Sequence, residues 1–192
     1  VQQTEALIED FRKVLENGLS RQELQQAMPK GAARNAVDCA LWDLEAKLAG
    51  KRVWELTEIS KHLAADGTSE PGSVTTVYTL SLDTPEKMGE AAAKHAKRPN
   101  LKIKLTGDGD LERLAAISEN APNSRLVVDA NEGWTPEHYQ RFVPELKSLG
   151  VEMIEQPFPA DKDSILKALD RPLPVCADES CHDTADLERL NG

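Results

Sequence analysis

Three acidic residues, Asp129, Glu155 and Asp178, each close a short apolar run (RLVVD, VEMIE, PVCAD), and they stand 26 and 23 residues apart. That interval is the length of one strand plus one helix. Repeated strand–helix units build a parallel sheet whose strands all end on one rim, so carboxylates distant in sequence are expected to converge there. One unit upstream, Leu101-Lys102-Ile103-Lys104-Leu105 alternates with period two, which sets both lysines on one face of a strand and the three aliphatics on the other. Two amines therefore face three acids.

The same grammar runs through the carboxyl-terminal part. Strands are predicted near 74–80, 100–105, 125–129, 152–155 and 174–178, and helices near 84–97, 110–120, 135–149, 161–170 and 183–190. Thr84-Pro85, Thr135-Pro136 and Asp183-Thr184 are cap-like helix starts. Five such units imply right-handed crossovers in either a doubly wound sheet or a barrel, and the lack of a glycine-rich phosphate loop after the first strand favours the barrel. Residues 1–50 read instead as helices. Ala6, Leu7, Phe11, Val14 and Leu15 keep helical spacing up to Asn17-Gly18. Ser20 with Glu23 forms a capping box, and Ala33, Ala36, Val37, Ala40, Leu41, Leu44 and Leu48 trace a stripe ending at Gly50. The segment DGTSEPGS at 66–73 has no periodicity and divides the chain into parts 1–73 and 74–192. The expected fold class is α/β, a partial TIM-like (β/α) barrel of about five units preceded by helices. A closed barrel needs eight units, and the chain begins at Val1 without methionine. It therefore reads as truncated at both ends, either a fragment or a chain whose sheet is closed by another, a homo-oligomer included.

Charge narrows the function. With 33 acidic against 23 basic residues the formal charge is −10, which argues against nucleic acid and anionic membrane surfaces, since both require a basic patch. Small molecules and metal ions remain as partners. No apolar run reaches the length of a membrane span. Cys39, Cys176 and Cys181 are sparse and lack finger spacing, which suits a reducing compartment and a cytoplasmic location.

Three ionised carboxylates within a few ångströms repel one another and either take up protons or bind a cation. All-oxygen donors favour Mg²⁺, with Mn²⁺ next. Acids at strand ends also read as solvent-facing helix caps, and Lys-x-Lys as the wet face of an edge strand. If the aliphatics of 101–105 pack outward, however, the lysines point inward beside the metal. Crowded amines disfavour each other's protonation, so one of them is expected to act as a neutral base that removes the proton α to a metal-bound carboxylate.

Lys102-Ile103-Lys104, Asp129-Ala130-Asn131-Glu132-Gly133-Trp134, Glu155-Gln156-Pro157 and Ala177-Asp178-Glu179-Ser180 follow one another in order. Upstream lies the helix Ala32-Ala33-Arg34-Asn35-Ala36-Val37-Asp38-Cys39-Ala40-Leu41-Trp42-Asp43-Leu44. Together these resemble the muconate-lactonising branch of the enolase superfamily, most closely its L-Ala-D/L-Glu (dipeptide) epimerases through the run from Cys176 to His182. The resemblance implies that residues 1–73 end an α+β capping domain and that 74–192 supply barrel strands 1–5. It implies Asp129, Glu155 and Asp178 as Mg²⁺ ligands, Lys104 as proton acceptor, Lys102 as holder of the substrate carboxylate, and Thr79 as a substrate contact. Asn131 and Glu179 stand beside ligands. The substrate implied is a small carboxylate, a dipeptide. The family's opposite-face lysine on the sixth strand has no counterpart, so the chain alone is expected not to epimerise. O-succinylbenzoate synthase, muconate cycloisomerase and N-acylamino-acid racemase share the same residues, and a non-catalytic metal-binding module is the alternative of another class. His62, His95, His138 and His182 are expected at the surface, and Trp42 and Trp134 between layers.

Overall fold

The computed structural model describes residues 1–57 and 71–190, which belong to two compact units, Val1–Val74 and Thr75–Gly192. Most of the linker expected over 66–73, and His62, lie outside the described residues.

The first unit holds helices α1 (Gln2–Asp10), α2 (Arg12–Glu16), α3 (Arg21–Ala27), α4 (Ala32–Ala49) and α5 (Val53–Leu56). The capping box forms as spaced: Ser20 Oγ accepts the Glu23 N–H at 3.2 Å, and the Glu23 carboxylate accepts the Ser20 N–H at 2.9 Å. Helix α4 stops where Gly50 turns left-handed (φ 61°), a conformation that costs glycine little. Its apolar stripe divides. Ala33 and Val37 join Leu24 and Met28 in a small core, with Leu41 packed against it, while Ala36, Ala40, Leu44 and Leu48 are exposed. These are two adjacent rows of the helix, and α1 and α3 cover the first. Trp42 does not pack between layers: the Arg21 guanidinium lies 3.2 Å above its ring centre.

The second unit is built on five parallel strands paired in chain order: β1 (Tyr78–Leu80), β2 (Asn100–Lys104), β3 (Arg125–Asp129), β4 (Val151–Glu155) and β5 (Val175–Cys176). Between them run α6 (Pro85–His95), α7 (Asp110–Asn120), α8 (Pro136–Ser148) and a 3₁₀ helix (Ala160–Ala168), and α9 (Asp186–Leu190) follows β5. This is a partial TIM-barrel-like α/β fold. Thr84 and Thr135 cap α6 and α8 with proline in the first turn. The outer face of the sheet carries Leu101, Ile103, Leu105, Leu126, Val128 and Ile154, all fully buried against helix residues such as Leu114, Ile117 and Phe142. Removing so much apolar surface from water supplies the main force holding helices to sheet.

Three boundaries differ from expectation. Strand β1 begins at Tyr78 rather than 74. Strand β5 has two residues rather than five: Pro174, which has no N–H to donate, stands just before it, and the ladder ends at Cys176. The segment expected as an α-helix over 161–170 is the tighter i→i+3 form, opened by a Lys162 N–H bond to Pro159 O at 2.7 Å. The last helix begins at Asp186 rather than 183, and the cap read at Asp183 forms: its Oδ1 accepts the Ala185 N–H at 3.0 Å, while Asp186 Oδ2 accepts the N–H groups of His182 and Asp183. His95 and His138 are half-buried rather than superficial, stacked on Tyr78 and Phe142. His182 is exposed and Trp134 is buried between helix and sheet, both as expected.

Candidate functional site

Parallel pairing aligns side chains across strands, so the inner face of the sheet carries two rows. The lower is Thr79, Lys102, Val127 and Met153; the upper, at the carboxyl ends, is Lys104, Asp129, Glu155 and Cys176. An extra residue in β4, where the register shifts beside Leu126 and Val127, brings Glu155 level with Asp129. Glu152, left at that irregularity, pairs with Arg125 at 2.5 Å.

The upper row is an ion cluster. Asp129 is 0% exposed, and its Oδ2 accepts from Lys104 Nζ at 2.6 Å and from Lys102 Nζ at 2.9 Å. Lys102 Nζ also reaches Glu155 Oε1 at 2.6 Å, so one ammonium bridges the two carboxylates. Lys104 Nζ donates in addition to Asn131 Oδ1 at 2.7 Å. Asn131 turns left-handed (φ 42°), which lets its N–H donate to Asp129 Oδ1 at 3.0 Å and its amide to Glu179 Oε1 at 3.1 Å. Asn131 and Glu179 thus belong to the site, and Glu179 Oε2 is buried with no hydrogen-bond partner among the described residues.

Electrostatics follow from this pairing. Burial alone would raise the Asp129 pKa, but the two ammonium groups and the Asn131 N–H together hold it below the usual aspartate range. For Lys102 burial works downward, and hydrogen bonds to Glu155 and Asp129 overcome it, so its ammonium form persists above the ordinary lysine value. At Lys102 the two carboxylates outweigh burial and hold the ammonium form; the neutral base is expected at Lys104 instead. Burial, then Glu155 and Asp178, push the Cys176 thiol up, which keeps it from acting as a soft thiolate donor.

Asp178 is carried differently. It lies two residues past the last ladder pair, Glu155 with Cys176, on an exposed turn fixed through its backbone: its N–H donates to Gln156 Oε1 at 2.9 Å and its carbonyl accepts from Cys181 N–H at 2.9 Å. Among the described residues no three acidic, histidine or cysteine side chains form a group able to hold a metal. The expected convergence is therefore found for Asp129 and Glu155 and not for Asp178, because the strand register that aligns the first two has ended before the third. The donors still suit a hard divalent cation. They are carboxylate oxygens, Asp129 is held ionised, and the point between Asp129 and Glu155 already accommodates a positive charge. Thr79, on the lower row beside Lys102, is exposed.

The shifted groups give a pH dependence with a sign. Asp129 contributes stability above its unfolded value of about 3.9, lost as pH falls through its lowered folded value. Lys102 contributes below about 10.4, lost as pH rises through its raised one. The stability difference between the parent and Asp129→Asn, measured by calorimetry in chelator, should be constant from about pH 5 to 9 and shrink below about pH 4. A difference that stays constant down to about pH 2.5 would contradict the assignment.

Two residues escaped sequence reasoning. Gln156, in the run after Glu155, is 1% exposed and bonds across to the Asp178 turn. Asp110 is 2% exposed and joins the loops that follow β2 and β3. An acid in a helix's first turn was the available signal for the second, though that position alone reads as a favourable dipole interaction.

Known proteins share this sequence pattern and fold. The enolase C-terminal domain-like family matches residues 87–191, and the mandelate racemase/muconate lactonizing enzyme N-terminal domain matches residues 5–57. The L-Ala-D/L-Glu epimerase of Escherichia coli is 42% identical over 180 residues, covering 93% of this chain and 53% of that protein. An enolase family member from Agrobacterium tumefaciens with homology to dipeptide epimerases, solved with sodium and L-Ala-L-Glu, superposes with a TM-score of 0.85 at 43% identity over 99% of this chain and 56% of that one. A dipeptide epimerase from Methylococcus capsulatus complexed with Mg gives 0.74 at 31% identity, over 95% and 51%. The chain thus spans about half the length of these relatives. With a family match over more than half its residues and the ordered rim of lysines and acids, the chain belongs to the enolase superfamily, in its mandelate racemase/muconate-lactonizing branch.

Proposed function

We propose that the chain carries the metal-binding and proton-abstracting part of a dipeptide epimerase of the L-Ala-D/L-Glu type. The observation that carries this reading is the inner-face cluster in which Lys102 and Lys104 meet Asp129 and Glu155 within 2.9 Å. The names of the relatives supply the substrate class. Asp129, Glu155 and Asp178 would hold Mg²⁺, with the Asp178 side chain turning in from its exposed turn. The ion, when bound, would offset charge on the substrate carboxylate and so acidify the adjacent C–H.

The protein's own groups divide the remaining work. Lys102 persists as an ammonium and holds the substrate carboxylate, stabilising the charge that develops as the proton leaves. Lys104, one step nearer the open rim and 33% exposed, takes that proton on the lone pair of Nζ as the neutral amine, having first released its own proton to solvent. Asn131 and Asp129 aim its Nζ, and Thr79 borders the bound substrate from the lower row.

Among the paired strand residues, the amines of the inner face come from β2. A proton taken by Lys104 is therefore returned to the face it left. In D₂O with Mg²⁺ and L-Ala-L-Glu, the 192-residue chain should place deuterium on the glutamyl α-carbon, read by ¹H NMR, while the circular dichroism of the dipeptide stays constant. Lys104→Ala should abolish the incorporation. Incorporation that survives in Lys104→Ala would remove this residue from its role, and loss of the dichroic signal would show epimerisation by the chain alone.

A further inference from the structure

We infer that Gln156 is a positioning residue for the third metal ligand: its buried carboxamide fixes the Asp178–Ser180 turn over the rim of the sheet. This inference rests on the metal-centre reading above. Strand β5 pairs with β4 through only two residues and its ladder ends at Cys176. The turn carrying Asp178 has therefore left the backbone pairing that would otherwise locate it, and a side chain from β4 takes over.

The carboxamide is used completely. Gln156 Nε2 donates to Phe158 O at 2.8 Å and to Ser180 Oγ at 2.6 Å, and Oε1 accepts the N–H groups of Asp178 at 2.9 Å and Ser180 at 3.1 Å. Two donors and two acceptor sites are all that the group possesses, so its orientation is determined: a flipped amide would set NH₂ against two N–H groups. The backbone of the same residue extends the tie. Its N–H donates to Cys176 O at 2.9 Å, and its carbonyl accepts from Glu132 N–H at 2.9 Å, so the ends of β3, β4 and β5 are joined through one residue. To do this Gln156 adopts φ 36°, a left-handed conformation that costs a non-glycine residue of order 1 kcal/mol or more and persists only where its surroundings enforce it.

The far side of the turn is held as well. Ser180 is 1% exposed; its Oγ donates to Asp163 Oδ1 at 2.8 Å, and Arg189 donates to both Asp163 Oδ2 at 2.5 Å and Ser180 O at 2.6 Å. The turn's backbone is thus clamped between β4 and the 3₁₀ helix while the Asp178 carboxylate, on its exposed edge, keeps freedom to turn toward Asp129 and Glu155. Fixing the backbone reduces what must be ordered when an ion arrives, which is how a neighbour that never touches the metal raises its affinity.

The test uses the 192-residue chain and two readouts: amide hydrogen exchange at Asp178 and Ser180 in chelator, and Mn²⁺ affinity by electron paramagnetic resonance. Gln156→Met keeps the length and removes all four bonds. It should speed exchange at Asp178 and Ser180 about tenfold or more while leaving the Ala130 N–H, bonded to Glu155 O, as protected as in the parent. It should weaken Mn²⁺ binding about 10- to 100-fold. Gln156→Glu, which retains acceptors for the Asp178 and Ser180 N–H groups but sets its second oxygen against Phe158 O, should restore part of their protection. Leu114→Ala, a core change in α7 that lowers the melting temperature, should leave Mn²⁺ affinity within about twofold. Ser180→Ala carries the same two expectations should the methionine variant not fold. Parental exchange and affinity in Gln156→Met, or an equal loss in Leu114→Ala, would overturn the inference. If the parent binds no Mn²⁺ the metal reading fails, and exchange at Asp178 still decides whether Gln156 fixes the turn.

Discussion

Asp129→Asn should weaken Mg²⁺ binding by at least about 100-fold, because ligand charge count sets affinity for hard cations and this carboxylate is the one most deeply placed in the cluster. The lysine variants should move the other way. Lys102 Nζ stands 2.9 Å from Asp129 and 2.6 Å from Glu155, so it occupies the position between them and competes with any second cation. Lys102→Ala removes the competitor and should tighten Mg²⁺ binding. Lys104→Ala removes a donor 2.6 Å from Asp129 Oδ2 and should bind at least as tightly as the parent. Isothermal titration of the parent and the three variants near pH 7.5 provides the measurement. Weaker binding in Lys102→Ala, or parental affinity in Asp129→Asn, would show that these acids serve the lysines and not a metal. The two signs separate a metal centre from a purely structural ion network, in which loss of any member is simply destabilising.

What could be read in the sequence was local or periodic. Leu101 to Leu105 announces its two faces because strand side chains alternate whatever lies beside them, and the structure places Lys102 and Lys104 inward with the aliphatics fully buried. The capping box at Ser20, the Thr-Pro starts of α6 and α8, and the stop at Gly50 were equally visible, since each is settled within about four residues. What escaped depends on partners more than 20 residues away. The electrostatic state of Lys102 follows from β2 lying beside β3 and from its reach to Glu155, and no spacing rule states that reach. The length of β5 depends on how far its pairing with β4 runs, which ends at Glu155 with Cys176. Asp178 could be assigned to the rim from the 23-residue interval, but the direction of its carboxylate depends on a turn held by Gln156 and Ser180. Local order was legible, while the junctions between strand ends were not.

Asp110 is the strongest case of such a junction, and Asp110→Ala should cost about 3–5 kcal/mol, the usual range for removing one partner of a buried charged group. Its carboxylate receives the N–H groups of Thr106 at 3.1 Å and Gly107 at 2.6 Å, the Trp134 indole N–H at 2.9 Å, and Arg113 Nη1 at 3.1 Å. Alanine would leave the buried Gly107 and Trp134 donors, and the guanidinium, only 19% exposed, without their carboxylate. The loops concerned follow β2 and β3, so they begin immediately after Lys104 and Asp129. They also meet closely: a Cβ on Gly133 would stand 3.1 Å from Thr106 O and 2.9 Å from Ala130 O, which leaves no room for a side chain or for drift. Asp110 therefore ties together the loops that leave the strand ends carrying Lys104 and Asp129. Against a total of about 5–15 kcal/mol for a domain, such a loss moves the urea midpoint far enough to measure without ambiguity. Trp134, T-shaped against Tyr139 and Phe142, reports the local change by fluorescence while far-ultraviolet dichroism follows the whole. Asp110→Asn keeps one acceptor and introduces an amine among donors, so it should recover only part of the loss. A cost below about 1 kcal/mol for the alanine variant would mean that water satisfies these donors and that the two loops hold their places without the carboxylate.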